Sequence, residues 1–371
     1  MAGPELPAAL ACVFAAARAG RPVLVTDPDG TGPGPADLPP ELPAGTFLVV
    51  ITSGTSGHPR PVLRTAASWT SSFAPFSALT GIGPRDRVLL TGPLHATMHL
   101  FAAVHALAVG AHLIDDPATA TATHLVPSRI GALLDELAPD APLRTLVVAG
   151  SALPDRLAER AVARGLAVTE YYGAAELSFV AARRVPGPLG PFPGAQVQVR
   201  DGVVWVRSPF LSLGYPPGVA GPFRRDEQGF ATVGDLAAPD GDGLRIRGRG
   251  DAAITTGGAT VLVEDVEDAL LQLPGVAAVA VVGTPHPRLG QLVTAVLEPA
   301  PGADLSSIRT AAQAVLRAQS RPRRWLLADR LPRTGGGKVA RHRVAAALAA
   351  LDQGDPPPAR APILRPLPSS R

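Results

Sequence analysis

Thr46-Phe47-Leu48-Val49-Val50-Ile51-Thr52-Ser53-Gly54-Thr55-Ser56-Gly57-His58-Pro59-Arg60 joins two unlike halves. Residues 46–51 are apolar or β-branched throughout, which predicts a buried strand. The next six residues, Thr52 to Gly57, hold four hydroxyl side chains and two glycines. Their backbone N–H and side-chain O–H groups form a concave set of donors suited to a polyphosphate. Taken alone, the same loop also reads as a Ser/Gly surface turn.

Outward from this stretch, helical and extended patterns alternate. Helices are expected over 8–20, 66–79, 98–109, 129–137 and 154–164, and strands over 22–26, 87–90, 111–114, 145–149 and 169–172. The alternation predicts parallel α/β layers. From about Gln196 short strands with turns take over, at 195–200, 203–208, 231–236 and 244–248. After Arg249 comes a unit of about 100 residues, a size that supports its own core. Its helices are expected at 263–273, 305–317 and 339–351, and its strands at 276–282, 292–297 and 324–328, with Asp304 as an N-cap. The fold class is therefore α/β. A large layered N-terminal domain with a β-rich subdomain occupies 1–248, and a small α+β C-terminal domain occupies 249–352. Residues 353–371, with Pro356-Pro357-Pro358, read as a disordered Pro-rich tail.

At 371 residues, 46% of them hydrophobic, the chain can fill more than one core. Mean hydropathy is +0.19. The net charge of +3 is modest, its basic residues are dispersed, and an aromatic content of 4% offers few stacking platforms, so nucleic acid is not an expected partner. The single Cys12 cannot close an internal disulfide, no metal-ligand spacing of Cys and His is present, and a reducing, cytoplasmic location is expected. The apolar run 8–17 follows Glu5, where a signal peptide carries positive charge, and it is too short to span a bilayer. No membrane span is expected.

Of the 34 lysine and arginine residues, Lys338 alone is lysine. It ends the run Pro332-Arg333-Thr334-Gly335-Gly336-Gly337-Lys338 and precedes Val339-Ala340-Arg341. A compact ammonium on a flexible stem is not interchangeable with a planar guanidinium. The glycines let backbone and side chain approach a ligand. A catalytic cation meeting phosphate or carboxylate oxygens is one reading, and chance survival of a surface lysine is the other. It is not a Walker-type loop, because Pro332 and Val339 stand where that pattern needs glycine and Ser or Thr.

Three further groups carry chemistry. Tyr171-Tyr172-Gly173-Ala174-Ala175-Glu176 ends a predicted strand with a carboxylate able to reach Mg²⁺ on phosphate oxygens. A lone Glu at a helix start is its commoner role. Gly234-Asp235-Leu236 and Gly248-Arg249-Gly250-Asp251 place acids and a guanidinium at strand ends, able to hold ribose hydroxyls or phosphate, and equally able to be turn residues. Thr255-Thr256-Gly257-Gly258 is another glycine loop.

The order of these groups resembles the adenylate-forming superfamily of acyl- and aryl-CoA synthetases, which also contains peptide-synthetase adenylation domains and luciferases. The resemblance covers about residues 8–345. Residues 15–27 resemble the segment KAGxxYVPLDP, residues 52–62 the phosphate loop TSGTTGxPKGV, and residues 172–176 the motif YGxTE. Residues 234–236 and 248–267 resemble GD and GRxDDxIxxGGxxVxPxEVE, and residues 332–341 match PxTxxGKxxR at every fixed position.

The resemblance implies ATP, Mg²⁺ and coenzyme A as cofactors and a small-molecule carboxylic acid as substrate. The acid would attack the α-phosphate to give an acyl-adenylate. A mobile C-terminal domain would then rotate, and a thiol would take the acyl group. Thr52, Ser53, Gly54, Thr55, Ser56, Gly57 and Arg60 would hold the β- and γ-phosphates. Gly150, Ser151 and Ala152 would pack on adenine, while Tyr172, Gly173 and Ala175 would meet the nucleotide. Asp235, helped by Arg249, would bind the ribose, and Glu176 would ligate Mg²⁺. Lys338 would touch the carboxylate and α-phosphate oxygens, Asp251 would be the hinge, and Gly257 and Gly258 would line the thiol tunnel.

There are departures. Arg60 and Pro61 replace Lys-Gly, Ala175 replaces the Thr or Ser that donates to phosphate, Val263 replaces a proline, and the first subdomain reads as shortened. Gly92-Pro93-Leu94-His95-Ala96-Thr97-Met98 occupies the substrate-facing position and contains no acid. An α-amino acid would bury an ammonium there without a partner. Leu94, Met98, Ala174 and Phe179 suit an acyl or aryl acid, and His95 is a substrate contact or a packed histidine. The leading function is an AMP-forming acyl- or aryl-CoA ligase. The alternatives are loading of a carrier-protein thiol or another nucleophile, and a degenerate homologue that binds nucleotide or acyl ligand without turnover.

Overall fold

The computed structural model describes residues 5–26, 33–52, 59–249 and 253–367. The chain divides into two compact units, the first lying almost wholly before Arg247 and the second including Arg247–Arg371.

In the first unit the helix Glu5–Ala19 leads to a three-stranded sheet of Val23–Leu24, Thr46–Ile51 and Pro61–Thr65. The outer strand pairs are parallel and antiparallel respectively. The main sheet has seven strands in the order Gly190–Pro191, Ser178–Arg184, Ala167–Ala174, Thr145–Ala149, Ala122–Leu125, Arg87–Leu90 and His112–Ile114. It is parallel from Ala167–Ala174 to the His112–Ile114 edge, and the last two strands on the other side run antiparallel. Thr145–Ala149 is buried at every position, as a parallel strand covered on both faces must be. A further six-stranded sheet, of which Val203–Arg207 and Asp235–Asp240 are antiparallel neighbours, forms the β-rich subdomain.

Three expectations need adjustment in this unit. The helix expected over 66–79 is two, Ala66–Thr70 and Phe73–Thr80. Between them the Ser72 hydroxyl donates to the Trp69 carbonyl at 2.8 Å, offering the backbone a local alternative to helix. The strand expected over 231–236 breaks at Gly234, which has φ +82°. Pro61–Thr65, Ala122–Leu125 and Ser178–Arg184 are strands that the pattern did not indicate.

The second unit is a six-stranded sheet built on the long hairpin Val276–His286 and Gly290–Pro299. Period-two alternation splits its side chains between two cores. Val279, Val281, Val293, Ala295 and Leu297 pack with the helices Val263–Leu271 and Leu305–Val315. Ala278, Ala280, Val282 and Val296 pack with the helix Arg341–Gln353. Asp304 caps Leu305–Val315, its side chain accepting from Ser306 N–H at 3.0 Å and Ser307 N–H at 3.4 Å.

In the tail expected to be disordered, residues 354–360 are exposed, but Pro362, Leu364 and Leu367 are buried. The final helix ends at Gln353 with Gly354 at φ +77°. Arg365–Pro366 then pairs antiparallel with Arg324–Leu327, and Leu364 joins the core beside Val344 and Leu348. The proline run gives the segment a disordered composition, but two leucines, each 9% exposed, anchor its end.

Candidate active site

The base of the phosphate loop is closed by a reciprocal pair. The Thr52 N–H donates to the Arg60 carbonyl at 2.9 Å, and the Arg60 N–H donates to Thr52 Oγ1 at 3.1 Å. Ser53, Gly54, Thr55, Ser56 and Gly57 lie outside the described residues. The Arg60 side chain reaches across to the Ala220 carbonyl at 3.0 Å.

The Tyr171–Glu176 motif forms one arm and the turn of a hairpin, Ala167–Ala174 against Ser178–Arg184. The register slips at Tyr172/Gly173, and a Cβ on Gly173 would stand 2.1 Å from the Ser178 carbonyl oxygen, so only glycine fits. Ser178 adopts φ +60°. The tight turn carries Glu176 inward to 3% exposure.

Three motif positions, Tyr172, Ala175 and Glu176, are each held by a residue far away in sequence. Tyr172 donates its hydroxyl to Asp235 Oδ2 at 2.5 Å. Tyr215 donates to Glu176 Oε1 at 2.7 Å. The Arg64 guanidinium donates to the carbonyls of Ala175 at 2.8 Å, Ser68 at 2.8 Å and Phe210 at 2.6 Å. Burial, together with the charge and hydrogen bond of Glu176, pushes the Tyr215 hydroxyl well above its ordinary range, so it remains a donor. Burial lowers the Arg64 guanidinium to about 9 against the opposing pull of Glu176, which still leaves it charged at neutral pH.

Gly150, Ser151 and Ala152 follow the strand Thr145–Ala149, with Gly150 at φ +101°. Just beyond them the Leu153 N–H donates to Glu170 Oε1 at 3.0 Å, and Arg183 holds the other carboxylate oxygen at 2.5 Å. Of the residues expected to face the acid, His95 is half-buried just before the helix Thr97–Ala108, Met98 is half-buried in its first turn, and Ala174 is half-buried at its strand end. Phe179 lies deeper, in an aromatic core with Phe76, Phe101, Tyr171 and Phe192 at ring separations of 4.7–5.2 Å.

In the second unit Lys338 is exposed on a small hairpin. The Thr334 N–H donates to the Lys338 carbonyl at 2.7 Å, and Arg333 bridges to Val339. Both ends of the loop are tied down. Glu298 accepts from Leu331 N–H and Arg333, while Arg341 pairs with Glu264 at 2.9 Å and Glu267 at 2.8 Å. Gly257 (φ +56°) and Gly258 (φ +82°) make the two-residue turn between Ile254–Thr256 and Ala259–Val261, a geometry with positive φ at both positions. Arg249 ends a strand, but its side chain and Asp251 fall outside the described residues.

Sequence reasoning missed Arg64, Tyr215 and Glu170. Tyr215 carried a signal of the kind that exposed Lys338: the chain has three tyrosines, and the other two are in the motif itself. Arg64 carried none in so arginine-rich a chain.

The donor set fits a nucleotide. Asp235 offers an acceptor for hydroxyls and Glu176 a carboxylate for a hard cation. Among the described residues no group of three or more His, Cys, Asp or Glu could hold a metal ion. These features define a nucleotide-using, two-unit enzyme.

Comparison with known proteins agrees. Residues 29–216 match the AMP-binding enzyme family, and residues 265–338 match the AMP-binding enzyme C-terminal domain. The chain is 30% identical over 342 residues to an uncharacterized acyl-CoA ligase of Bacillus subtilis, covering 83% of this chain and 70% of that protein. It is 30% identical over 379 residues to a feruloyl-CoA synthase of an Amycolatopsis species, covering 89% and 76%. Among solved structures, ATP-bound MatB from Rhodopseudomonas palustris superposes with a TM-score of 0.70 at 25% identity over 80% of this chain and 67% of that one. An E. coli MenE variant with bound OSB-AMS gives 0.72 at 25% identity over 90% and 76%. The chain belongs to the AMP-binding enzyme family. It is an AMP-forming ligase that activates a carboxylic acid as an acyl-adenylate and then forms a thioester, using ATP, Mg²⁺ and CoA. Among the described residues no helix is long and apolar enough to cross a membrane.

Proposed function

We propose that the chain joins an apolar acyl or aryl acid to coenzyme A, with the motif residues in the roles their positions suggest. The observation that carries this is the convergence of Tyr172–Asp235 and Tyr215–Glu176 on one hairpin. It fastens a hydroxyl-binding acid, Asp235 of a separate strand, to Tyr172 and orients a cation-binding acid, Glu176, four residues beyond Tyr172 on the same hairpin. Asp235, oriented by Tyr172 and assisted by Arg249, takes the ribose hydroxyls. Gly150, Ser151 and Ala152 pack on adenine. Glu176 ligates Mg²⁺, and Thr52 through Gly57 with Arg60 hold the β- and γ-phosphates.

A carboxylate oxygen attacks the α-phosphorus, the α–β phosphoanhydride bond breaks, and pyrophosphate leaves. Lys338 neutralises charge on the carboxylate and α-phosphate oxygens as they approach. A thiolate then attacks the acyl carbon and AMP leaves. Gly257 and Gly258 line the thiol path, and Asp251 is the pivot between the two half-reactions. The Gly92–Met98 segment has no acid to pair an ammonium, which disfavours amino acids. The B. subtilis and Amycolatopsis relatives, named for acyl-CoA and feruloyl-CoA formation, support CoA as acceptor over a carrier protein. Nucleic acid has no part in this reading, and the single cysteine suits the cytoplasm.

Acid-dependent exchange of labelled pyrophosphate into ATP, across fatty, benzoic, cinnamic and amino acids, tests the first half-reaction. Thioester formation with CoA tests the second. Exchange with no acid in the panel would refute the reading. Exchange without CoA thioester would move the acceptor to another nucleophile.

A further inference from the structure

The acyl side of the first unit holds four histidines within one apolar cluster. His95 and Met98 open the helix Thr97–Ala108, His99 and His105 follow on it, and His124 lies on the strand Ala122–Leu125 beneath. His105 is partly accounted for: its Nε2 lies 2.8 Å from Ser77 Oγ, while its buried Nδ1 has no partner among the described residues. His99 and His124 are not. They are 4% and 1% exposed, and His99 Nδ1 and both ring nitrogens of His124 have no hydrogen-bond partner among the described residues. His95 Nε2 is buried and unpartnered in the same way.

Burying a ring nitrogen without a partner costs free energy that an apolar residue of similar shape would not. The surroundings make that cost pointed. Phe76 stacks on His124 with centroids 5.5 Å apart and planes 26° from parallel, and it meets Phe101, Tyr171 and Phe179 on its other sides. The His99 ring lies against Gly92, where a Cβ would come within 2.2 Å of Nε2. The polar nitrogens are thus walled by flat apolar rings. His99 is the residue after Met98 on the helix, and Tyr171, which meets Phe76, lies on the strand that ends at Ala174.

Burial lowers the His99 imidazole to about 4, with Arg129 and His95 adding to the effect, and it drives His124 well down too. Both rings are neutral at pH 7, each with one N–H and one lone pair. A neutral pair cannot compensate a second carboxylate or an ammonium. It matches an uncharged hydroxyl, which can accept from one ring and donate to the other.

We propose that His99 and His124 form the polar end of the acyl pocket and select an aromatic acid bearing an uncharged hydroxyl remote from its carboxyl group. The inference rests on reading this face as the acyl site of an adenylating enzyme. A site built to hydrogen-bond a hydroxyl discriminates strongly against the analogue that lacks it, because its own polar groups are then left unpaired.

The test compares matched acids on the full chain: 4-hydroxycinnamate with cinnamate, and 4-hydroxybenzoate with benzoate, by pyrophosphate exchange. At least one hydroxylated acid should exceed its partner by about tenfold or more in kcat/KM. His124→Phe or His99→Leu should bring that ratio to within about twofold, mainly by lowering the rate with the hydroxylated acid. A ratio near one in the wild type, exchange with fatty acids alone, or a ratio unchanged in both variants overturns the proposal and leaves the nitrogens to ordered water. If a variant loses its near-ultraviolet dichroism, His124→Gln supplies the comparison with less change in polarity. If no acid supports exchange, the adenylation reading falls by itself. Calorimetric binding of 4-hydroxycinnamate against cinnamate then decides the histidine proposal independently: a preference of about tenfold upholds it and equal binding ends it.

Discussion

Arg64 gives the sharpest test of how the nucleotide hairpin is held. The perturbation is Arg64→Met, which keeps the stem and removes the guanidinium. Arg64 is 1% exposed and donates to three backbone carbonyls, those of Ser68, Ala175 and Phe210. Its burial is itself costly. Holding the group at about 9 against an ordinary 12.5 works against the charged form by roughly 5 kcal/mol. Removing the charge recovers that cost. It also removes three charge-assisted bonds, each loss costing about 3 kcal/mol once the carbonyl left unpaired is included. The losses outweigh the recovery, and the net destabilisation expected is about 3–5 kcal/mol, the range for deleting one partner of a buried charged cluster.

The assay is urea unfolding followed by tryptophan fluorescence with Trp205 and Trp325 replaced by Phe in both compared chains, leaving Trp69, whose ring centroid lies 5.4 Å from the guanidinium carbon. Arg64→Lys should recover only part of the loss, because an ammonium does not reproduce the planar fork that spans three acceptors. Since Ala175 adjoins Glu176, the Met variant should also raise the KM for ATP where it remains folded. A destabilisation below about 1 kcal/mol with unchanged exchange kinetics would refute the argument.

Four further outcomes are expected. Lys338→Arg should lower pyrophosphate exchange by about 100-fold or more without shifting the thermal midpoint, as a fork does not fit two converging oxygens; wild-type rates would end the assignment. Ala175→Thr should lower the KM for ATP or raise turnover, read by steady-state kinetics, and a change in neither would show a site rebuilt around alanine. Tyr215→Phe removes the donor to Glu176 Oε1 and should raise the Mg²⁺ concentration required for half-maximal exchange; an unchanged Mg²⁺ titration would argue against the pairing as a positioning device. Burial lowers His99, with help from Arg129 and His95, and His105 to about 4 from 6.5. Both are neutral in the fold, so their contribution is complete above pH 6.5 and is lost as pH falls from 6.5 toward 4, by roughly 3 kcal/mol per ring. Urea midpoints at pH 7.5 and 5 should separate more for the wild type than for His99→Leu, and equal separations would contradict the burial effect.

The large-scale order of the fold is legible in the sequence because burial writes itself as period. Thr46–Ile51, Arg87–Leu90 and Thr145–Ala149 each open on one polar residue and are apolar thereafter, and each is a strand with the expected bounds. Segments where local chemistry and long-range pairing disagree are less legible. Pro61–Thr65 begins with a residue that cannot donate, yet it pairs at a strand end. Ser178–Arg184 depends on a left-handed Ser178 and on Gly173 clearing a carbonyl, neither of which has a periodic signature. The packed tail is the same problem in reverse: prolines dominate its composition, while Leu364 and the pairing of Arg365–Pro366 determine where it goes. Within the site, motif residues could be read singly, but the residues that hold them could not. A buried arginine or tyrosine becomes recognisable only when a partner 39 or 111 positions away is brought beside it.

That division bears on Ala175, the departure that most favoured a degenerate homologue. The resemblance assigns the side chain at this position a hydroxyl donated to the nucleotide. In the structure the position is held by its backbone: the carbonyl accepts from Arg64, and the methyl packs partly buried against the main apolar core. Losing the hydroxyl therefore leaves the turn where it was. Its neighbours retain their partners, Tyr172 with Asp235 and Glu176 with Tyr215. On the proposed reading one donor to phosphate is removed, worth about 1.5–3 kcal/mol if fully expressed, while the hydrogen bonds that hold Asp235 and Glu176 are unaffected. A chain released from catalysis would have no reason to keep its lone lysine in the one loop where a guanidinium is a poor substitute. The alanine thus reads as a tuned contact in a working ligase, with binding weakened by about 10- to 150-fold at most.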